Sequence, residues 1–323
     1  MGQLPFEQRN YEIIVRRKVT TNPKQGVYPD KRPIEELIKS GIININKPVG
    51  PTSSQIDSYV KEILHINKAG HGGTLDPNVS GILPIALEES TRIMQALLNS
   101  GKEYVCLMHL HTDVSEEKIR EVLPTFIRKI TQLPPLRSAV KRQEREREVY
   151  YLEILEVDGR DILYKVGCQG GTYIRRLSEQ IGKELGTNAH MQQLVRTKAG
   201  PFNQEGWYSL HDLKDAYEFY KEGKEEELRK IVLPIEAGIT HLKKVYVSDM
   251  AVNTVCHGAS LSLPGLVKFD SDIQKEDNIA MLSLKGELIG LGTSKMDARE
   301  MKEKSKGLAI KTNKVFMKRN TYQ

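Results

Sequence analysis

Apolar residues from Gly41 onward recur at the spacings of helices and strands. Thr52 is followed three residues later by Gln55, which makes a capping box and predicts that a helix begins there. The apolar residues that follow predict its buried face, which consists of Ile56, Val60, Ile63 and Leu64. Other runs predict strands at 42–46, 104–109, 150–157 and 162–168, and helices at 116–123 and 173–185. The pattern is that of one mixed domain of helices and strands.

After Thr240 the pattern changes to short apolar runs separated by Gly and Pro. These runs predict strands at 245–247, 260–263, 279–284, 287–291 and 308–310. The Lys285-Gly286 pair predicts a two-residue turn between two of these strands. Many short strands with such punctuation are typical of a small barrel.

Residues 1–33 follow neither pattern. They mix charges with Pro23, Pro29 and Pro33 around one strand-like run at 11–15, so they predict an arm that lies across another part of the molecule. The 323 residues are enough for a main domain and one smaller module. We therefore expect an N-terminal arm at 1–33, a main domain at 34–240 and a C-terminal module at 241–323.

The distribution of charge says more than its total. The net charge is +6 and the sequence pI is about 9.0, which mildly favours an anionic partner. From His241 to Gln323 there are 14 Lys or Arg against nine Asp or Glu, a net +5, so the last quarter carries most of the excess. A basic module beside a near-neutral body suggests a function in gripping phosphates.

The cysteines and the N-terminus exclude several classes of protein. Cys106, Cys168 and Cys256 lie far apart, without the spacing of a zinc site, and are expected to be reduced thiols. The first ten residues are polar and no run approaches the ~18 apolar residues of a membrane span. We expect a cytoplasmic protein without a metal, a cofactor or a membrane partner.

Residues 70–81 concentrate the candidate chemistry. Four glycines around His71 and Asp76 disfavour a helix or a strand, so they predict a loop that turns tightly or approaches a ligand. Asp76 before Pro77 can also simply shape a turn. This segment by itself does not decide between the two interpretations.

Four segments together resemble, in order and spacing, the motifs of the TruB-type pseudouridine synthases. They are Gly41 to Ser53, His71 to Pro77, Gly101 to Tyr104 and Gly171 to Arg175. Two more, Pro134 to Arg142 and His257 to Gly265, narrow the resemblance to the archaeal and eukaryotic, dyskerin-like branch. Members of that branch are the catalytic subunits of box H/ACA ribonucleoproteins. The long Lys-rich tails of eukaryotic members are missing, which favours an archaeal source.

The resemblance implies a fold and a set of partners. It implies an α+β fold, with a mixed, largely antiparallel sheet and helices in the pseudouridine synthase domain and a small C-terminal β-barrel PUA domain on which the N-terminal arm packs. The implied partners are a box H/ACA guide RNA, ribosomal RNA as substrate with tRNA as an alternative, small Nop- and Gar-type proteins, and a kink-turn-binding ribosomal-type protein.

The residues of the loop suit the implied reaction. Converting uridine into pseudouridine breaks the bond from N1 to C1′ and joins C5 to C1′, without net redox change. Asp76 can add to C6 of the ring, bond to C1′, or remove a proton from C2′, and each route requires it ionised. An enclosed carboxylate needs a partner. Arg175, in the first turn of the helix predicted at 173–185, is the candidate, because a guanidinium pairs with a carboxylate through two hydrogen bonds.

Other motif residues have two interpretations each. The resemblance implies that Tyr104 stacks on the target base, which would replace the stacking that a flipped uridine loses. Tyr173 either contacts the substrate or is a core tyrosine, and Leu194 either lines the pocket or packs in the core. His71 either fills the gap left by the flipped nucleotide or orders the loop. Lys47 is assigned to the substrate-binding residues, where we expect it to support the Asp76 loop.

A second basic segment runs from Arg137 to Arg147. It is either a solvated surface or a loop that closes over the RNA, as the resemblance implies, with Arg137, Lys141 and Arg142 as the phosphate contacts.

Three other functions fit these residues less well. A Ser/His/Asp hydrolase would need a nucleophile elbow, and a nucleotide-dependent enzyme a GxGxxG or P-loop pattern, and neither is present. The main alternative is a noncatalytic RNA-binding scaffold, for which the set of Asp76, Tyr104 and Arg175 would have no use.

Overall fold

The computed structural model describes residues 2–134 and 143–323. The helices are α1 Ile34–Ser40, α2 Ser53–Leu64, α3 Met94–Leu98, α4 Glu116–Val122, α5 Ile174–Glu184, α6 Leu210–Lys221, α7 Glu226–Ile231, α8 Asp249–Cys256 and α9 Ala298–Glu303. The first strands are β1 Ile13–Val15, β2 Gly41–Lys47, β3 Ala69–His71, β4 Ser80–Leu87, β5 Lys102–Leu110, β6 Lys129–Gln132, β7 Arg145–Asp158, β8 Asp161–Cys168 and β9 Ala189–Ala199. The later strands are β10 Val232–Pro234, β11 Lys243–Val247, β12 Leu261–Ser262, β13 Leu266–Asp270, β14 Asn278–Leu282, β15 Leu288–Ser294 and β16 Leu308–Val315.

The described residues divide into two compact units. The first unit takes in residues 2–8, 43–86, 91–134 and 143–231, and the second takes in Arg9–Ile42, Leu87–Ser90 and Val232–Gln323. The domain boundaries expected from the sequence stay a prediction.

A sheet organises the first unit. Its strands follow the order β2-β4-β9-β5-β8-β7-β6, with β3 paired beside β4. Strands β4 and β9 are parallel, while β5 pairs antiparallel with both β8 and β9. Apolar residues of the sheet and of α4 and α5, such as Ile119, Leu177 and Ile181, form one buried core. The fold class expected from the resemblance, a largely antiparallel α+β architecture, is confirmed.

The helix predicted from the capping box is confirmed. Thr52 accepts from the backbone N–H of Gln55 while the Gln55 side chain accepts from the backbone N–H of Thr52. Ile56, Val60 and Leu64 are buried, whereas Ile63 is only half-buried, so its place in the buried face was wrong. The largest omission from the sequence prediction is β9, whose many polar residues conceal a strand in the middle of the sheet.

The second unit has its own sheet and core. The strand order is β1-β13-β11-β14-β15-β16-β12, in which β1 pairs antiparallel with β13 and β11 pairs parallel with β14. Helix α8 packs on this sheet and was not expected from the sequence. The turn between β14 and β15 is longer than the predicted Lys285-Gly286 pair. Ser283 closes it, because its N–H donates to the Glu287 carbonyl and its carbonyl accepts from Gly286.

Across residues 2–134 and 143–323, no helix has both the length and the apolar character needed to cross a membrane.

Candidate active site

The loop between β3 and β4 presents Asp76 to solvent on a fixed backbone. On one side of Asp76, the Leu75 N–H donates to Ser53 Oγ at 2.8 Å and the Ser53 hydroxyl donates to the Leu75 carbonyl at 3.0 Å. On the other side, the Pro77 carbonyl accepts from the Gly50 N–H at 2.9 Å. Leu75 is buried and Asp76 is exposed. The backbone on both sides of the carboxylate is therefore anchored to the segment that begins α2.

Lys47 lies beneath this loop and is completely buried. Its ammonium donates to the carbonyls of Pro48 at 2.8 Å, Pro77 at 3.3 Å and Val79 at 2.8 Å. Burial lowers the pKa of Lys47, while the nearby Asp76 carboxylate acts in the opposite direction. These contacts agree with Lys47 as a support of the Asp76 loop, and its placement among the substrate-binding residues stays a prediction.

Arg175 forms an ion pair with Asp76 across 99 residues of sequence. Its position follows from the start of α5, where the backbone of Tyr173 is held by Gln132. The Tyr173 N–H donates to Gln132 Oε1 at 2.9 Å and the Gln132 amide donates to the Tyr173 carbonyl at 3.2 Å. The Arg175 and Asp76 side chains are 49% and 55% exposed, so the pair is open to a solvent-borne ligand.

Tyr104 lies on β5 directly opposite Arg196 of β9. Both side chains are buried, and they interact electrostatically. Burial raises the pKa of the Tyr104 hydroxyl, which is therefore the protonated phenol at neutral pH. Leu194 pairs with Cys106 two residues further along the same two strands and belongs to the core of the first unit.

His71 is tied to its own loop and to α2. Its Nδ1 lies 2.7 Å from Asp57 Oδ2 and its Nε2 lies 3.2 Å from Thr74 Oγ1. These two contacts agree with the loop-ordering interpretation of His71. The alternative, contact with RNA, stays a prediction.

Two buried cations near the loop were not singled out from the sequence. Lys102 donates to the carbonyls of Leu97 at 2.7 Å and Ser100 at 2.8 Å, and burial lowers its pKa to about 7. Arg196 donates to the Ile82 carbonyl and to the Gly73 carbonyl. Lys102 stands in the Gly101 to Tyr104 motif, which was an available signal. Arg196 offered none, because an Arg in a polar run is usually expected on the surface.

Some of the predicted residues have no described position. Arg137, Lys141 and Arg142 lie outside the described residues. Within the described part of the chain, no group of three or more His, Cys, Asp and Glu side chains is arranged to hold a metal ion.

The arrangement provides a carboxylate that is exposed, oriented by a guanidinium and held on a rigid loop. Such a group can act as a nucleophile or as a base toward a ligand that approaches from solvent. Tyr104 offers an aromatic side chain near the loop. It lies on β5, the strand of Lys102, and opposite Arg196 of β9.

Four family models match consecutive parts of the chain. The TruB family pseudouridylate synthase N-terminal domain matches residues 61–117 and 111–174, and the tRNA pseudouridylate synthase B C-terminal domain matches residues 175–240. The PUA domain matches residues 243–316, and the DKCLD domain matches residues 2–57.

Known proteins are similar over nearly the whole chain. The probable tRNA pseudouridine synthase B of Pyrococcus abyssi is 54% identical over 321 residues, which cover 99% of this chain and 96% of that protein. A crystal structure of a Cbf5-Nop10-Gar1 complex is similar with a TM-score of 0.94 and 51% identity, over 99% of this chain and 98% of that one. An H/ACA RNP bound to a substrate RNA containing 2′-deoxyuridine is similar with a TM-score of 0.92 and 48% identity, over 99% of both chains.

Proposed function

The chain belongs to the TruB family of pseudouridylate synthases and is an RNA pseudouridine synthase, and on this premise we propose that Asp76 is its nucleophile and Arg175 the residue that orients it. The observation that carries the proposal is the ion pair between Asp76 and Arg175. Motifs 99 residues apart in the sequence meet at one carboxylate that is open to solvent.

The reaction needs little besides such a carboxylate. The N1–C1′ bond breaks, the base rotates and C5 bonds to C1′, after which C5 loses its hydrogen and N1 gains one. Asp76 takes part by addition at C6, by a bond to C1′, or by removing a proton from C2′, and it is released at the end in each case. Arg175 orients the carboxylate through their ion pair, since a guanidinium offers its hydrogen bonds in fixed directions.

The side chains around Asp76 receive the flipped base. Tyr104 supplies the aromatic face, while Tyr173 and Leu194 line the pocket. His71 and Lys47 keep the loop in place. Arg137, Lys141 and Arg142 contact RNA phosphates, which suits the high Arg content of their segment.

The RNA partners are proposed from the relatives. A box H/ACA guide RNA pairs with the target on both sides of the uridine and is held by the C-terminal PUA domain, which carries the net +5 of residues 241–323. Nop- and Gar-type proteins, which the similar structures contain, and a kink-turn-binding protein complete the particle. Ribosomal RNA is the main substrate, tRNA is the alternative, and the cytoplasm is the compartment.

The nucleophile is tested by Asp76→Asn, which keeps the shape of the side chain and removes its charge. We expect pseudouridine formation to fall by at least ~1000-fold while RNA affinity changes little. The matched control is Asp113→Asn, because Asp113 is also an exposed aspartate of the first unit paired with an arginine, Arg160. Turnover of Asp76→Asn within tenfold of the parent would reject the assignment.

Guidance is tested separately with one target oligonucleotide and three reactions, containing a matched guide RNA, a mismatched guide or none. None of Asp76, Tyr104 and Arg175 can read a sequence, since they contact groups common to all uridines, so base pairing must select the site. We expect product with the matched guide alone. Equal rates in all three reactions would favour a stand-alone enzyme that acts on tRNA.

A further inference from the structure

Arg196 carries its charge in the interior of the first unit. The residue is 1% exposed, its hydrogen bonds go to two backbone carbonyls, and its cross-strand neighbour Tyr104 is also neutral. Burial lowers the pKa of Arg196. Moving an ionised group out of water costs several kcal/mol, and neutral acceptors without a carboxylate offset that cost only in part. Stability alone therefore gives a poor account of this arginine.

The three contacts of Arg196 join three different pieces of the candidate site. Its Nε donates to the Ile82 carbonyl of β4 at 2.7 Å. One terminal nitrogen donates to the carbonyl of Gly73 at 3.0 Å, three residues before Asp76. The guanidinium also interacts electrostatically with Tyr104 of β5, its direct cross-strand neighbour. One planar group thus links the Asp76 loop to the aromatic side chain.

The backbone of the neighbouring strands is shaped to allow this contact. Gly81 of β4 pairs in parallel with Arg196 and has φ of +107°. A Cβ atom on Gly81 would lie 2.2 Å from the Arg196 carbonyl oxygen, so β4 and β9 approach closely only because residue 81 is glycine. Gly73, whose carbonyl accepts from Arg196, also has a positive φ, of +125°. The loop carbonyl therefore points at the guanidinium in a conformation that favours glycine.

We propose that Arg196 is a positioning residue, which sets the ring of Tyr104 relative to Asp76 by interacting with Tyr104 across the strand pair and holding the Gly73 carbonyl at once. This inference rests on the proposed function of Asp76. A lysine keeps the charge but not the planar fork that reaches several acceptors in fixed directions. A methionine fills the volume, makes neither of the two hydrogen bonds and carries no charge beside Tyr104.

The loss of Arg196 should therefore affect the chemical step and not the binding of RNA. Without it the Tyr104 ring and the Asp76 loop can each shift, and a misplacement of about 1 Å in reacting groups costs on the order of 100-fold in rate. RNA affinity depends mainly on phosphate contacts at the surface, which a buried arginine does not make.

The test is a double-mutant cycle with Arg196→Met and Tyr104→Phe, assayed at saturating enzyme in a single turnover. Release of tritium from C5 of the target uridine reports the reaction, because C5 loses its hydrogen when it bonds to C1′. We expect Arg196→Met to be slower by about 100-fold with RNA affinity within about twofold of the parent. In the Tyr104→Phe background the same substitution should cost at least about fivefold less, since the shared contact is already gone.

Arg196→Lys and Arg32→Met complete the design. Arg196→Lys should remain at least about tenfold slower than the parent, because it restores the charge without the fork; it also replaces Arg196→Met in the cycle if that variant fails to fold. Arg32→Met removes another buried arginine, one that pairs with Glu236 in the second unit, and should lower thermal stability without slowing the single turnover.

Two results would overturn the inference. One is an equal effect of Arg196→Met with and without Tyr104→Phe, which would indicate a purely structural role. The other is full activity of Arg196→Lys. Both presuppose that the parent chain is active and Asp76→Asn is not. If instead the parent forms no pseudouridine, or if Asp76→Asn retains activity, it is the proposed function that fails.

Discussion

Two layers of the candidate active site treat charge in opposite ways. Asp76 and Arg175, the exposed pair, are each about half exposed, with side-chain values of 55% and 49%. Lys47, Tyr104 and Arg196, the buried support, are all inaccessible or nearly so, at 0%, 8% and 1%. The charges of the exposed pair face solvent and each other, while those of the buried support face backbone carbonyls.

The difference separates the residues that perform the reaction from those that hold the site in place. An ion pair in solvent contributes only ~0–1 kcal/mol to stability, so the exposed pair can take part in the reaction without destabilising the fold. A buried cation that donates to backbone carbonyls cannot be removed so easily, because the carbonyls are left unsatisfied. We therefore expect changes in the exposed pair to reduce activity at constant stability, and changes in the buried support to reduce stability as well.

Among the variants that test this comparison, Arg175→Met should give the largest effect, a loss of catalytic rate. Removing the guanidinium leaves Asp76 without its orienting partner, and we expect the single-turnover rate to fall by about 100-fold or more, with little change in thermal stability. Arg160→Met is the matched control, since Arg160 also pairs with an exposed aspartate of the first unit, and it should retain the parent rate. A large loss of stability in Arg175→Met would break the distinction between the layers.

Lys47→Met should show the opposite behaviour. The buried Val79 carbonyl loses its donor, while the Pro77 carbonyl keeps the Gly50 N–H; since an unsatisfied buried group costs ~1–3 kcal/mol, we expect the free energy of unfolding to fall by about 1–3 kcal/mol. Chemical denaturation measures it. Lys230→Met, which changes an exposed lysine of α7, should leave stability unchanged. Equal stabilities of the two variants would mean that Lys47 is not a support.

Lys102→Met tests, through the pH dependence of stability, whether burial lowers the pKa of Lys102. The pKa of Lys102 is lowered to about 7 in the folded protein by burial, against an ordinary value of 10.5. Between these two values the unfolded chain binds the proton and the folded chain does not, so this group makes the folded state more stable as the pH rises. Relative to Lys102→Met, the parent should thus gain unfolding free energy from pH 7 to pH 10. Parallel pH profiles would contradict the lowered pKa.

Chelation should have the smallest effect, namely none. If the exposed pair performs the chemistry with side chains alone, EDTA should leave the rate unchanged, provided that the RNA has been folded without divalent ions. If zinc restored an activity lost on chelation, the reaction would require a metal ion in addition to the side chains of the exposed pair. Magnesium added back to refold RNA is the control that separates an effect on RNA from one on the enzyme.

The sequence by itself determined some of the local elements and the identity of the motifs. The capping box of Thr52 and Gln55 is complete within four residues, so it is readable without the rest of the chain. The glycines around His71 and Asp76 likewise predict a loop over 70–81, and the structure confines it to the residues between β3, which ends at His71, and β4, which begins at Ser80. From sequence alone, the motifs that resemble the family point to three residues that act together, Asp76, Tyr104 and Arg175. The ion pair between Asp76 and Arg175 agrees with that prediction.

The tertiary structure alone decided which polar residues are inside. Strand β9 has the composition of a surface segment, and only its position between β4 and β5 buries Arg196. Lys47 looks like any lysine before a proline, yet three carbonyls from two segments converge on its ammonium. Burial of a charge depends on partners that are distant in sequence, and the positions of those partners exist only once the chain has folded.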